Sequence, residues 1–399
     1  MVDRSPSSGR VREVLALARR DRTAAGKAVA ALPTVEQLAL VCDAPVARRR
    51  ELLDLLPAPE HVIPLLPEAE LVFTLKAIGL DESAWILDLA TPEQVTACLD
   101  LDAWRGTTLE RESLERWMAA LAEVDDEALV RHLHAIDPEL SVLYVKDRTE
   151  VVLKPSDSED AGWEPPPGSR TLDGQFYLVA HDDADDLGPL LRILHALFQS
   201  DYWAYFRLLQ GAIWELPSET EEWALRWRSG RLEDLGFPPW DEAMGVYRFV
   251  SAGERERLPE EASVLETDAW KLPVWIPSLP AGRDARELLF RAIGELDEPE
   301  RRAAFYQFVA LANKIAVADR MDLADAASTP AAIEKATRWV SRGLEHVAAA
   351  NDARPEDVLR RLEMQWLFRV GASLDPKMAK GPPADPGGPQ ASSESNETD

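Results

Sequence analysis

Thr91-Pro92-Glu93-Gln94-Val95-Thr96-Ala97-Cys98-Leu99-Asp100-Leu101-Asp102-Ala103-Trp104 begins like a helix and ends on an aromatic ring. Thr91 and Gln94 have the spacing of a capping box, and Pro92 falls at the first helical position, where its missing N–H costs nothing. Val95, Leu99 and Leu101 follow at helical spacing. The same grammar recurs between Leu32 and Pro138. Prolines 33, 45, 57, 67, 92 and 138, with Asp-Glu-Ser from Asp81 filling one gap, mark off units of roughly 10 to 14 residues, about three helical turns each. Thr34-Val35-Glu36-Gln37 reads as a second capping box. Leu38 and Val41, then Leu52, Leu53 and Leu56, then Leu71, Val72, Leu75 and Ile78 form apolar stripes, as do Trp85, Ile86 and Leu89. Helices this short do not stand alone in water. They become stable by stacking side by side, the logic of a superhelical repeat.

Outward from that repeat the pattern changes. Residues 148–154 and 175–180 are rich in β-branched and aromatic side chains and predict a small β-hairpin. Its long loop contains Glu164-Pro165-Pro166-Pro167-Gly168. Helical stripes follow at 187–215, 298–320, 330–349 and 355–370, while residues 250–285 read as irregular connection. The expected architecture is therefore mainly α. A basic N-terminal helix or arm (1–32) precedes a short-helix superhelical repeat (33–147). A β-hairpin insertion with a Pro-rich loop (148–181) leads to a Trp-rich C-terminal helical domain (182–374). Residues 375–399 are too poor in apolar side chains to order themselves.

The chain has 399 residues, with 44 basic against 71 acidic side chains and a formal charge of −27. That balance argues against nucleic acid and against an anionic membrane surface, both of which need a basic footprint. No apolar run approaches the ~20 residues that span a bilayer. Val11 to Ala18 is interrupted by Arg12 and Glu13, so it reads as a helix and not as a secretory leader. Two cysteines, Cys42 and Cys98, build neither a disulfide framework nor a cysteine zinc site, and the expected compartment is the cytoplasm.

The catalytic inventory is mostly negative: no phosphate loop, no dinucleotide fingerprint, no His-Glu-x-x-His and no nucleophile elbow. His132 and His134 stand two apart on a helical stretch and face different ways, so they do not chelate one ion together. Asp182, Asp183, Asp185 and Asp186 lie where the second strand gives way to a helix. Carboxylates there could hold Mg²⁺ or Ca²⁺, or could cap the helix and face solvent. Around Trp227 lie Arg226, Arg228 and Arg231, followed by Gly236-Phe237-Pro238-Pro239-Trp240. Trp227, Arg228, Arg231 and Trp240 suit recognition of a peptide or an anion by stacking and forked hydrogen bonds. The same letters also suit a helix ended by a glycine cap, with the arginines holding a core.

Residues 33–145 resemble the cytoplasmic superhelical domain of MgtE-type magnesium transporters in their Leu-Pro and Thr-Pro-Glu-Gln openings. Over most of its length the chain resembles a bacterial family known as domain of unknown function 6178. Thr91 to Gln94 with Leu99 to Trp104, the arginine-rich segment ending in Gly236-Phe237-Pro238, and Ala310-Leu311-Ala312-Asn313-Lys314 carry that likeness, which implies no activity. The function expected is a non-enzymatic cytoplasmic scaffold or adaptor for protein partners, basic ones given the acidic surface. It needs no cofactor, and its oligomeric state is left open. The alternatives are a divalent-cation-responsive regulatory module and a metal-assisted hydrolase, both using the Asp182 to Asp186 cluster.

Overall fold

The computed structural model describes residues 6–155, 162–182, 187–260 and 286–375. It is mainly helical, with two small two-stranded antiparallel sheets. The first part runs α1 (Pro6–Arg20), α2 (Arg22–Ala30), α3 (Thr34–Cys42), α4 (Arg49–Leu53), α5 (Glu68–Ile78), α6 (Ala84–Leu89) and α7 (Pro92–Asp102). The strands β1 (Trp104–Arg105) and β2 (Thr108–Leu109) follow, then α8 (Arg111–Ala122), α9 (Asp126–Leu133) and α10 (Pro138–Arg148). The capping box at α7 forms: Thr91 Oγ1 accepts from Gln94 N, and Gln94 Oε1 accepts from Thr91 N. The buried Gln94 amide also donates to the Ile63 and Leu66 carbonyls at 3.0 and 2.7 Å. One side chain thus ties the 3₁₀ turn Ile63–Leu65 to the start of α7. At α3 the expected box is absent. Pro33 is the N-cap there, and Gln37 reaches past Thr34 to donate to the Leu32 carbonyl. The β1–β2 hairpin was not expected; Gly106, at φ 58°, makes its tight turn.

The predicted hairpin is β3 (Thr149–Leu153) against β4 (Phe176–Ala180), in register from Thr149 opposite Ala180 to Leu153 opposite Phe176. The remaining helices are α11 (Gly188–Ser200), α12 (Tyr202–Trp214), α13 (Pro217–Asp234), α14 (Trp240–Ala243), α15 (Ala252–Arg255), α16 (Leu288–Gly294), α17 (Glu298–Ala318), α18 (Ser328–Ala350), α19 (Pro355–Arg361) and α20 (Met364–Ser373). Two predicted helices are each two. Asp201, extended at φ −144°, ends α11 and caps α12 by accepting from Ala204 N, so 187–215 is broken by local Asp chemistry. Leu362 is likewise extended between α19 and α20, and Gln307 accepts the Met364 N–H freed by the break. The tail at 376–399 and most of the expected irregular connection, 261–285, lie outside the described residues.

Apolar side chains gather in two clusters. One runs from Val11 to Phe237 and includes Ala324; the other runs from Ala243 to Ala372. Val317 and Leu323 pack against both. Within the second, α18 and α20 cross at Gly343 and Gly371. A Cβ on Gly343 would stand 2.0 Å from the Leu367 carbonyl oxygen, and one on Gly371 would stand 2.0 Å from that of Trp339.

Candidate functional site

α13 starts with Pro217 in its first turn and packs on α10 and α7. The face turned inward carries Thr220, Ala224, Arg228, Arg231 and Leu232, at successive intervals of four, four, three and one residues. Arg228 is buried. Its Nε donates to the Asp100 carbonyl at 2.7 Å and its Nη1 to the Gly106 carbonyl at 3.0 Å, while its guanidinium lies 5.2 Å from the centre of the Trp104 ring. Arg231 makes four bonds. Nε and Nη2 reach the two oxygens of Asp100 at 2.7 and 2.8 Å, and Nη1 and Nη2 reach those of Asp137 at 2.9 and 2.6 Å. Asp102, two residues on from Asp100, accepts from Lys76 Nζ and from Trp117 Nε1.

The Asp100 side chain is 1% exposed. A carboxylate so buried is costly unless paired and hydrogen-bonded, and Arg231 meets both needs. Burial pushes the Asp100 carboxyl up from its ordinary value, against the pull of Arg231. Burial also works against the charge of Arg231, but the bonds to Asp100 and Asp137 outweigh it and hold that guanidinium above its usual range. Arg228, which donates to carbonyls, is pushed down by burial to about 10 and remains charged at neutral pH.

The exposed margin of that α13 face is aromatic. Trp223 and Trp227, one turn apart, are 48% and 49% exposed and stack at 6.2 Å with 27° between their planes. Arg226 covers Trp223 at 5.2 Å. On α12, Trp203 is 68% exposed and rests edge-on against Phe206 and Tyr202. Phe206 in turn contacts the buried Phe176 of β4, so this exposed indole stands on a ring network rooted in the core. Trp214, the last residue of α12, and Leu216, just before α13, are also exposed.

At its C-terminal end α13 closes with Gly236 at φ 81°. Phe237 N donates to the Leu232 carbonyl and Gly236 N to that of Glu233, and the Phe237 ring is buried. Beside Gly236 lies Asn313 of α17, which with Phe237 lines a cavity of about 10 Å³, room for a single water. Trp240 sits beyond the cap, at the start of α14 against α17, with the Arg320 guanidinium 4.9 Å over its ring.

The four residues singled out around Trp227 are thus not side by side on one surface. Arg228 and Arg231 share Asp100 inside, Trp227 is half-exposed at the margin of that same face, one turn before Arg231, and Trp240 belongs to the next helix. Sequence reading missed Asp100 and Asp137 as their partners, although an aspartate between Leu99 and Leu101 in an apolar stripe was a signal that a buried cation must meet it. It also missed Trp203 as an anchor. Of the aspartate cluster, Asp182 is described and exposed, whereas Asp183, Asp185 and Asp186 lie outside the described residues. Among the described residues no three His, Cys, Asp or Glu side chains come together to hold a metal ion. His132 is buried against the Leu87 carbonyl, and His134 faces out to Asp201.

What these contacts define is a mainly helical protein whose three distinctive stretches touch in sequence: Asp100 and Trp104 with Arg228 and Arg231, then Gly236 and Phe237 with Asn313. A family model, "Family of unknown function (DUF6178)", matches residues 26–380, and the chain belongs to that family. No curated protein and no solved structure matches it. The comparisons give no support to the likeness of residues 33–145 to the MgtE-type transporter domain.

Proposed function

We propose that this chain is a non-enzymatic helical scaffold or adaptor that docks a basic partner protein on the outer faces of α12 and α13. The observation behind this reading is the set of α13, which engages Arg228 and Arg231 with buried acceptors while leaving Trp223 and Trp227 half-exposed along the margin of the same face. Burying an indole contributes several kcal/mol by area, on the order of 3. A helix that leaves two half-exposed while enclosing guanidiniums favours a partner that covers them. Charge supports the sign of that partner. The chain carries −27, and Glu219 and Glu222 are exposed on α13 beside Trp223. A cytoplasmic setting fits Cys42 and Cys98, both buried free thiols, and no helix among the described residues is long and apolar enough to cross a membrane.

The test is a Trp223→Ser, Trp227→Ser double variant, compared with wild type by affinity capture and by thermal melting. The melting temperature should stay within about 2 °C, as for surface substitutions, while a salt-releasable basic partner captured by wild type is lost. Capture of the same proteins by both chains overturns the reading, and so does a double variant that no longer folds.

A further inference from the structure

We infer that a groove at the junction of α1, α2 and α4 is a binding site for a small phosphorylated molecule. Its volume is about 290 Å³, and it is lined by Ala18, Arg19, Arg22, Arg48, Glu51 and Leu55. In a chain with 71 acidic residues, three arginines converge here. The path of the backbone brings them together. Arg19 lies in the last turn of α1, Arg22 opens α2 after the Asp21 cap, and Arg48 closes the 3₁₀ turn Val46–Arg48 before α4. Arg48 is held in place by its Nη2 bond to Glu51 at 2.6 Å. Its Nε–H is shielded from solvent and has no acceptor among the described residues. That shielded donor faces no ligand, so the charge offered to one comes from the guanidinium edges of Arg19 and Arg22. Arg22 reaches Asp54 only at 3.3 Å and is 67% exposed, and Arg19 is exposed, so both remain within reach of a ligand.

A planar guanidinium matches phosphate oxygens two at a time. Glu51 offsets the charge of Arg48, so the net positive charge of the groove comes from Arg19 and Arg22. The volume exceeds what one phosphate group fills and falls just below the usual small-molecule range of roughly 300–1,000 Å³. An organic portion therefore has room over Ala18 and the buried Leu55. This site lies on the N-terminal helices and does not depend on the partner surface of α12 and α13.

Calorimetric titration of the full chain with inorganic pyrophosphate in about 50 mM NaCl tests the assignment, with citrate as a second titrant. Wild type should give saturable heat. Arg19→Gln and Arg22→Gln, both exposed and expected to fold normally, should each weaken binding about tenfold, the loss of one charge-assisted contact. Trp223→Ser should bind pyrophosphate as wild type does. Absence of heat at millimolar pyrophosphate, unchanged affinity in both arginine variants, or tighter binding of citrate than of pyrophosphate overturns the phosphate site.

Discussion

Two helix seams in this molecule are closed by opposite means. α7 and α13 are joined by long charged side chains, with Arg231 clasping Asp100 and Asp137 and Arg228 reaching the Asp100 and Gly106 carbonyls. α18 and α20 are joined with nothing between them, because Gly343 and Gly371 let the two backbones touch. The first seam is specific in direction, since a forked donor accepts only a matching pair of oxygens. The second is specific in distance, since any side chain pushes the helices apart. The difference should show in how each tolerates change: charged partners should be replaceable as a set, a missing Cβ should not.

The largest effect is expected at the glycine seam. In an exposed helix, glycine to alanine stabilises by about 1 kcal/mol. Gly343→Ala should do the reverse, because its methyl would meet the Leu367 carbonyl at 2.0 Å and neither backbone can yield cheaply. Urea unfolding should show a loss exceeding about 3 kcal/mol, at the upper end for overpacking. A gain in stability would mean that the helices are not in backbone contact.

The charged seam comes next. Arg231→Ala leaves Asp100 buried without its cation and should cost about 3 kcal/mol, read by the same unfolding curve. The sharper experiment removes the pair together. Arg231→Met with Asp100→Leu should recover more than half of that loss, because well-packed apolar groups often replace a buried ion pair at little cost. Asp137, 10% exposed at its side chain, would be the group left to rehydrate. If the combined variant is no better than the single one, the seam cannot be exchanged as a set and the contrast with the glycine seam fails.

How much of this was legible differs between the seams. The start of α7 was readable letter by letter, because a capping box and an N1 proline act within one turn. Gly236 was readable as a cap for the same reason, since it depends on residues 232–237 alone. The breaks at Asp201 and Leu362 were hidden because the apolar stripes run on through them, and periodicity does not register a single extended residue. The charged seam was half legible. Arg228 and Arg231 stood out as arginines among tryptophans, but their partners lie 94 to 131 residues away in the chain. Spacing along one helix does not say which face turns inward when that face is polar. Gly343 and Gly371 gave no signal at all, because a glycine within a helix looks like weak propensity until a second helix is placed against it.

The smallest effect extends the comparison to protons. A glycine seam has nothing to titrate, whereas the first cluster has His132 of α9, fully buried against α6. Its Nε2 lies 2.9 Å from the Leu87 carbonyl, so Nε2 carries the hydrogen, and the buried Nδ1 has no partner among the described residues. Burial lowers its pKa from 6.5. The bond to Leu87 works the other way, Arg131 lowers it further, and Asp88 and Asp125 raise it. The unfolded chain therefore takes up a proton at a pH where the folded chain still refuses it. Stability from the neutral ring is complete above pH 6.5 and is lost as the pH falls from there towards the folded value. Between pH 7 and pH 5.5 or so, protection factors, which remove the intrinsic slowing of exchange in acid, should fall for the amides of α6 and α9 and hold level for those of α18 and α20. His132→Gln keeps a donor for Leu87 without a titrating ring and should flatten the change at α9. An unaltered pH dependence in that variant would place the proton on another group.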